Sequence, residues 1–259
     1  MEVEHMNRRF ESKVVLITGG TSGLGQNAAL AFAREGAKVV VTGRRIKEGE
    51  ETVSKIKEAG GEARFVRTDV SKASEIEAMV KACVETYGRL DSAFNNAGID
   101  GTLFVPTADY DKAIWDQVIA VNLTGLFLCM KYEIPEMLKR GGGAIVNMAA
   151  VAGLRSGRVG AAYNASKHGV IGLTTTAALE YAARGIRVNA VCPAIIRTPM
   201  SDATFLRDEA AAQRAKSLHP IGRVGEPEEV SSLVLWLCSN EASFVTGTAI
   251  PVDGGFLLI

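Results

Sequence analysis

The chain has 259 residues, 47% hydrophobic and 22% charged, so it can bury a sizeable core and is too apolar for a disordered polymer. Lysine plus arginine and aspartate plus glutamate both total 29; the net charge of zero offers no basic field to nucleic acid or acidic lipid and points to small-molecule partners. Cys83, Cys129, Cys192 and Cys238 form no CxxC pair, and His5, His168 and His219 share no ligand spacing, so no metal site is expected.

In chain order, the opening MEVEHMNRRF is polar and mixed in charge where a secretory leader would be basic and then apolar. With no apolar run of membrane-spanning length evident, a cytoplasmic protein without membrane contact is expected. Residues 1–9 read as a flexible extension and 10–259 as one domain. Short β-branched runs predict strands at Val14–Ile17, Lys38–Thr42, Ala63–Thr68, Ser92–Asn95, Ala144–Asn147, Arg187–Val191 and Thr248–Val252. Between them lie helical periodicities, the first carried by Leu24, Ala28, Ala31 and Phe32 and ending near Gly36. Strands alternating with helices imply an α/β fold, a doubly wound, Rossmann-like seven-stranded parallel sheet with helices on both faces. Ligands of such sheets bind beyond the carboxyl ends of the strands.

The first of those ends carries Thr18-Gly19-Gly20-Thr21-Ser22-Gly23-Leu24-Gly25. Its glycines let the backbone turn sharply and approach a pyrophosphate, which the free N–H groups of the following helix would stabilise. By itself such a run also reads as a tight turn; its place between first strand and first helix favours a dinucleotide. Asp69-Val70 follows the third strand and Asn95-Asn96-Ala97-Gly98 the fourth; Asn122 lies in Val-Asn-Leu-Thr-Gly, and Tyr163-Asn-Ala-Ser-Lys167 opens a later helix.

Together these motifs resemble the short-chain dehydrogenase/reductase family, whose fingerprint is TGxxxGxG rather than GxGxxG, over about residues 10 to 259. The resemblance implies a nicotinamide-dependent oxidoreductase acting on a carbonyl or alcohol. It assigns Gly19, Thr21, Ser22, Gly23, Leu24 and Gly25 to the pyrophosphate turn, Asp69 and Val70 to the adenine, and Asn96, Ala97 and Gly98 to the ribose side. Pro193-Ala194-Ile195-Ile196-Arg197-Thr198 would hold the nicotinamide carboxamide, through Ile196 and Thr198. Tyr163 would be the proton donor or acceptor, Lys167 would lower its pKa and hold the ribose hydroxyls, and Asn122 would bend a helix and position a water on the proton path. The resemblance also implies a homotetramer or dimer, for which Ala165, Gly169 and Gly172 offer a small-residue helix face.

Cofactor choice follows from charge. NAD-preferring enzymes place a carboxylate at the end of the second strand. Here Gly43 is followed by Arg44 and Arg45, which could pair with a 2′-phosphate or be solvated turn residues; NADP(H) is expected over NAD(H).

One group is absent. The family's serine thirteen residues before the tyrosine, which polarises the substrate carbonyl, is Ala150 here, and Ala149 supplies no hydroxyl either. Ala150 could be an introduced substitution, a natural weakening of the site, or the mark of a protein that has left catalysis for binding. The leading function is an NADPH-dependent carbonyl reductase or alcohol dehydrogenase, impaired by Ala150. A catalytically silent NADP(H) sensor or scaffold and an NAD-linked sugar or cyclic-alcohol dehydrogenase stand as alternatives. Met200 to Leu218 reads as a helical lid or a plain surface helix, and Arg155 and Arg158 as contacts to an anionic substrate or solvated loop residues.

Overall fold

Val14–Thr18 is an unbroken run of residues with all five positions buried, the pattern of a strand covered on both faces, and it forms the central strand β1. The computed structural model describes residues 8–259; residues 1–7, most of the expected extension, lie outside the described residues. Arg9 pairs with Glu35 at 2.9 Å. Beside β1 run β2 (Lys38–Gly43), β3 (Glu62–Arg67), β4 (Ser92–Asn95), β5 (Gly143–Met148), β6 (Ile186–Pro193) and β7 (Ala249–Val252). Each predicted strand forms within two residues of its expected bounds.

All six pairings are parallel and the order is β3-β2-β1-β4-β5-β6-β7. The chain winds outward from β1 to β3 and then crosses back to β4, so a crevice opens between the carboxyl ends of β1 and β4. The edge strands are not apolar on both faces: β3 exposes Glu62, Arg64 and Arg67, and Pro251 sits in edge strand β7, where no neighbour needs its missing N–H.

Helices α1 (Gly23–Arg34), α2 (Ile46–Glu58) and α9 (Pro227–Cys238) accompany one core, in which Phe32, Val53 and Val234 meet Val15, Val41 and Val146. The opposite core joins α3 (Ala73–Tyr87), α5 (Leu126–Leu138) and α6 (Ala161–Tyr181) through Met79, Met137 and Val170 to Leu16, Ala93 and Ile145. Helix α4 (Lys112–Ile119) starts at Asp111, whose carboxylate accepts from Ala113 N–H at 2.7 Å and Ile114 N–H at 3.0 Å. A π-helical turn, Ala120–Gly125, links α4 to α5. The resulting 27-residue helical run, Lys112–Leu138, is long and apolar enough to span a membrane by length and composition, which corrects the expectation that no such run exists. Its apolar side chains Leu126, Cys129, Met130 and Ile134 pack into the core beside the sheet.

Beyond β6, the stretch read as a helical lid or a plain surface helix divides into α7 (Pro199–Asp202) and α8 (Glu209–Ser217), because Thr198 with Ser201 and Asp208 with Ala211 N–H each start a new helix. The four cysteines are free and buried, and among the described residues no group of three or more His, Cys, Asp or Glu could hold a metal.

A buried polar network crosses the second core. Glu133 Oε2 accepts from Asn95 Nδ2 at 3.0 Å, Asn95 Nδ2 also reaches Asn147 Oδ1 at 3.2 Å, and Asn147 Nδ2 donates to Thr174 at 3.0 Å. Burial raises the Glu133 carboxyl to about 7, opposed by the Asn95 bond, and Glu133 Oε1 and Asn95 Oδ1 are left without partners. The native state therefore binds this proton more tightly than the unfolded chain does. Its stabilisation is complete below the ordinary carboxyl value of 4.5 and is lost as pH rises through about 7. Glu133→Gln has no proton to lose, so it should gain on the parent between pH 5 and 8, by about 3 kcal/mol at most. Thermal melts of both proteins across that range check this, and parallel pH profiles would refute it.

Candidate active site

The crevice between β1 and β4 is a cleft of about 410 Å³ that reaches from the end of β2 to α7. It gathers every residue expected to hold the cofactor or act in the reaction except Gly25 and Asn122.

At its floor the turn after β1 has Gly19 at φ 65° and Gly23 at φ 53°, a region that favours glycine. A Cβ on Gly25 would lie 2.3 Å from the Gly19 carbonyl oxygen, so this glycine serves the closure of turn on helix. Ser22 begins α1 without a side-chain cap, which leaves the first-turn N–H groups for a ligand. Asn96 holds the turn from below: its amide donates to the Thr18 and Gly19 carbonyls at 3.0 and 3.2 Å, and Thr18 Oγ1 accepts from Asn96 and Ala97 N–H. Asn95 instead belongs to the buried network with Glu133.

At the β2 end, Arg45 donates to Thr21 Oγ1 at 3.0 Å and Ser22 Oγ at 2.6 Å, and pairs with Glu48 at 3.4 Å. Arg44 lines the cleft beside Asp69. Burial pushes the Asp69 carboxyl up, but hydrogen bonds from Ser71 and the charges of Arg44 and Lys72 outweigh it and hold the group below its usual range. Val70 and Gly98 also border the cleft.

Around the other end stand Tyr163 and Lys167, one turn apart on α6, with Ala150 following β5. Lys167 is 3% exposed; its ammonium donates to the Met148 carbonyl at 2.8 Å and lies 5.5 Å from the Tyr163 ring centroid. Burial lowers the Lys167 ammonium to about 8, against the charge of Asp100. Burial, and then Asp100, raises the Tyr163 phenol above its ordinary value. The expected lowering of the phenol by its lysine neighbour is therefore outweighed: desolvation disfavours both charged forms.

Asn122 lies in the π-helical turn, 1% exposed. Its side chain brackets Ile99, accepting from the N–H at 2.9 Å and donating to the C=O at 2.9 Å, and reaches Ser166 Oγ at 3.3 Å. Ser166 donates to the Tyr163 carbonyl at 2.8 Å and points off the Tyr163 and Lys167 face. Pro193, Ile196 and Thr198 border the same end. The Thr198 hydroxyl caps α7, accepting from Ser201 N–H at 3.3 Å, while Ser201 Oγ donates to the Ile196 carbonyl at 2.6 Å.

Some expectations find other uses. Arg155 turns to the chain's end, donating to the Phe256, Leu257 and Ile259 carbonyls at 3.2, 3.4 and 2.6 Å, and so is engaged away from any anionic substrate. Arg158 is an exposed loop residue. Gly169 packs within the chain, where a Cβ would be 2.8 Å from Leu123, whereas Ala165 and Gly172 face outward. The residue that sequence reasoning passed over is Asp100, in the cleft two positions beyond Asn95-Asn96-Ala97-Gly98; an acidic residue in the loop that follows a strand end was its signal.

Comparison with known proteins identifies relatives of the whole chain. The family model described as "Enoyl-(Acyl carrier protein) reductase" matches residues 19–257. The chain is 44% identical over 251 residues to cyclohexanol dehydrogenase of Acinetobacter sp. (strain SE19), covering 97% of each. It is 40% identical over 251 residues to 2,5-dichloro-2,5-cyclohexadiene-1,4-diol dehydrogenase of Sphingobium indicum, covering 96% of this chain and 99% of that one. The crystal structure of levodione reductase superimposes with a TM-score of 0.92 at 39% identity, over 95% of this chain and 98% of that one; levodione reductase of Leifsonia aquatica is likewise 39% identical over 254 residues. The chain belongs to the short-chain dehydrogenase/reductase family and is an oxidoreductase that uses a nicotinamide cofactor.

Proposed function

We propose that this protein is an NADP(H)-dependent dehydrogenase/reductase interconverting a cyclic ketone and its secondary alcohol, slowed by Ala150. The observation that carries the cofactor reading is the pair Arg44 and Arg45 with Ser22 at the β2 end of the cleft, where Gly43 takes the strand-end place at which a carboxylate would repel a 2′-phosphate. Names given to relatives, such as cyclohexanol dehydrogenase, support the ring-shaped substrate.

The turn glycines and uncapped α1 terminus fit a dinucleotide's pyrophosphate, and Lys167 with the Pro193 to Thr198 segment fits its nicotinamide end. The reduced nicotinamide supplies the hydride. Tyr163 then donates its phenolic proton to the carbonyl oxygen as negative charge develops there, and the Lys167 ammonium stabilises the phenolate left behind. In alcohol oxidation the same phenolate takes the hydroxyl proton. Asn122 acts through others, fixing the Ile99 backbone and Ser166 around this pair.

Arg44→Ala should reduce the NADPH-over-NADH ratio of kcat/KM by about tenfold to a hundredfold, the worth of a charge-assisted hydrogen bond, chiefly through KM. Initial rates with cyclohexanone and each cofactor measure it. An unchanged ratio would remove the 2′-phosphate reading. The second reading, an NADP(H)-binding protein without turnover, is favoured by Ala150 alone and is met if NADPH binds but no ketone is reduced.

A further inference from the structure

The Asp100 carboxylate borders the cleft beside Tyr163 and Lys167, is half-buried, and among the described residues has no hydrogen-bond or ion-pair partner. A carboxylate that faces the cleft without a protein partner is available to a ligand there, and pairing with one offsets the cost of its partial burial.

Its backbone is held on both sides. Ile99 before it is bracketed by the Asn122 amide, with both bonds at 2.9 Å. Gly101 after it has φ 70°, a conformation that favours glycine, and a Cβ there would meet the Tyr110 hydroxyl oxygen at 2.6 Å. The Tyr110 hydroxyl accepts from Thr102 N–H at 3.2 Å, and a side chain on Gly160 would meet the Thr102 carbonyl oxygen at 2.6 Å. The loop is thus clamped between the π-helical turn, α4 and the start of α6. A carboxylate on so constrained a backbone reaches the cleft with its main chain already ordered, which is part of how binding groups are preorganised.

The chemistry of its partner follows from charge and surroundings. Lys167 supplies the neighbouring positive charge, so a second cation would leave the cleft with excess positive charge, and Arg155 is committed elsewhere, so an anion would meet Asp100 as a like charge. A neutral donor fits: an alcohol hydroxyl bonds to a carboxylate as donor and to a carboxylic acid as acceptor. Met200, Thr204 and Phe205 close the cleft on the lid side, with Phe205 against Phe104 at 6.1 Å between ring centroids, a wall suited to a ring's carbon face. We propose that Asp100 is a specificity residue that binds a second hydroxyl of the substrate, so that the preferred substrates are ring diols or hydroxyketones rather than simple alcohols. This rests on the oxidoreductase reading above for what happens at the first hydroxyl.

The test compares the cyclohexane-1,2-, 1,3- and 1,4-diols with their monomethyl ethers, which lose one donor and gain a methyl group, and with cyclohexanol, which loses that donor without added bulk. Binding to the NADP⁺ complex of the full chain is measured by calorimetry, and oxidation by NADPH formation. The parent should favour the best diol over its ether and over cyclohexanol by about tenfold to a hundredfold. In Asp100→Ala each ratio should fall to within about threefold, while Asp100→Asn, which keeps an acceptor oxygen, should retain most of it. Removing the charge also alters the field on Tyr163 and Lys167, but this acts on both members of a pair alike and cancels in the ratio. No parental preference for any diol, or a preference that survives in Asp100→Ala, overturns the proposal. Because calorimetry needs no turnover, loss of oxidation with a retained, Asp100-dependent diol preference would overturn the oxidoreductase reading and leave the hydroxyl subsite standing.

Discussion

Tyr163→Phe should lower kcat for ketone reduction and alcohol oxidation by about 10³-fold, within the range expected for losing a positioned general acid or base. Only one oxygen is removed, and the ring stays in place beside Lys167, whose ammonium keeps its own bond to Met148. The cofactor affinity of the variant, followed by NADPH fluorescence, should therefore remain within a few-fold of the parent while turnover collapses. A variant retaining a tenth of parental kcat would show that the proton comes from elsewhere. The surroundings suit the phenol to the proposed role of donor in the reductive direction. Burial and the nearby Asp100 raise its pKa, so the group stays protonated until charge develops on the substrate oxygen. The limiting partner is Lys167: burial brings its ammonium down to about 8, so the charge that stabilises the phenolate is lost as pH rises through that value, and kcat for reduction should fall with it.

Much of this arrangement was legible in the sequence because it depends on local patterns. The strand runs were bounded to within two residues, and the glycine turn, Tyr163 and Lys167 occupy one cleft, because each motif directly follows a strand or opens a helix facing that end of the sheet. What could not be read is what depends on contacts distant in sequence. Arg155 read as a substrate contact or a solvated loop residue until the fold placed the carbonyls of residues near 259 beside it. The Met200 to Leu218 stretch has the composition of one amphipathic helix, but side-chain caps at Thr198 and Asp208 divide it in two. Glu133 sits in an otherwise apolar helix face, and nothing in its neighbours announces Asn95 and Asn147 from two different strands. The helical run Lys112–Leu138 escaped a search for apolar segments because Asn122, Lys131 and Glu133 interrupt it, although its composition as a whole is apolar. The phenol was expected to be lowered because charge attraction is visible in a YxxxK spacing, whereas desolvation is a property of the assembled site.

Ala150→Ser should raise kcat for ketone reduction by about 10²- to 10³-fold, the cost measured at other sites for losing one hydrogen-bond donor to a developing oxyanion. Ala150 is 7% exposed, borders the cleft with Tyr163, and has extended backbone at φ −169° and ψ 166° that serine adopts without strain. The residue also precedes the short 3₁₀ turn Val151–Gly153, whose last N–H, on Gly153, already bonds to the Ala150 carbonyl at 2.9 Å. At such a position a hydroxyl oxygen can accept from the turn's N–H groups while its proton remains free for the substrate oxygen. Two observables follow from this one atom. Melting temperature should rise by a few degrees or less, reflecting at most about 1 kcal/mol of capping. Turnover should rise by orders of magnitude, with KM for NADPH little changed, because the gained interaction strengthens as charge develops on the substrate. A serine variant that melts higher but reduces no ketone faster would mean that the hydroxyl takes its place in the turn without facing a reacting carbonyl. Together with intact NADPH binding, that result would favour a binding role for this chain over an impaired catalyst.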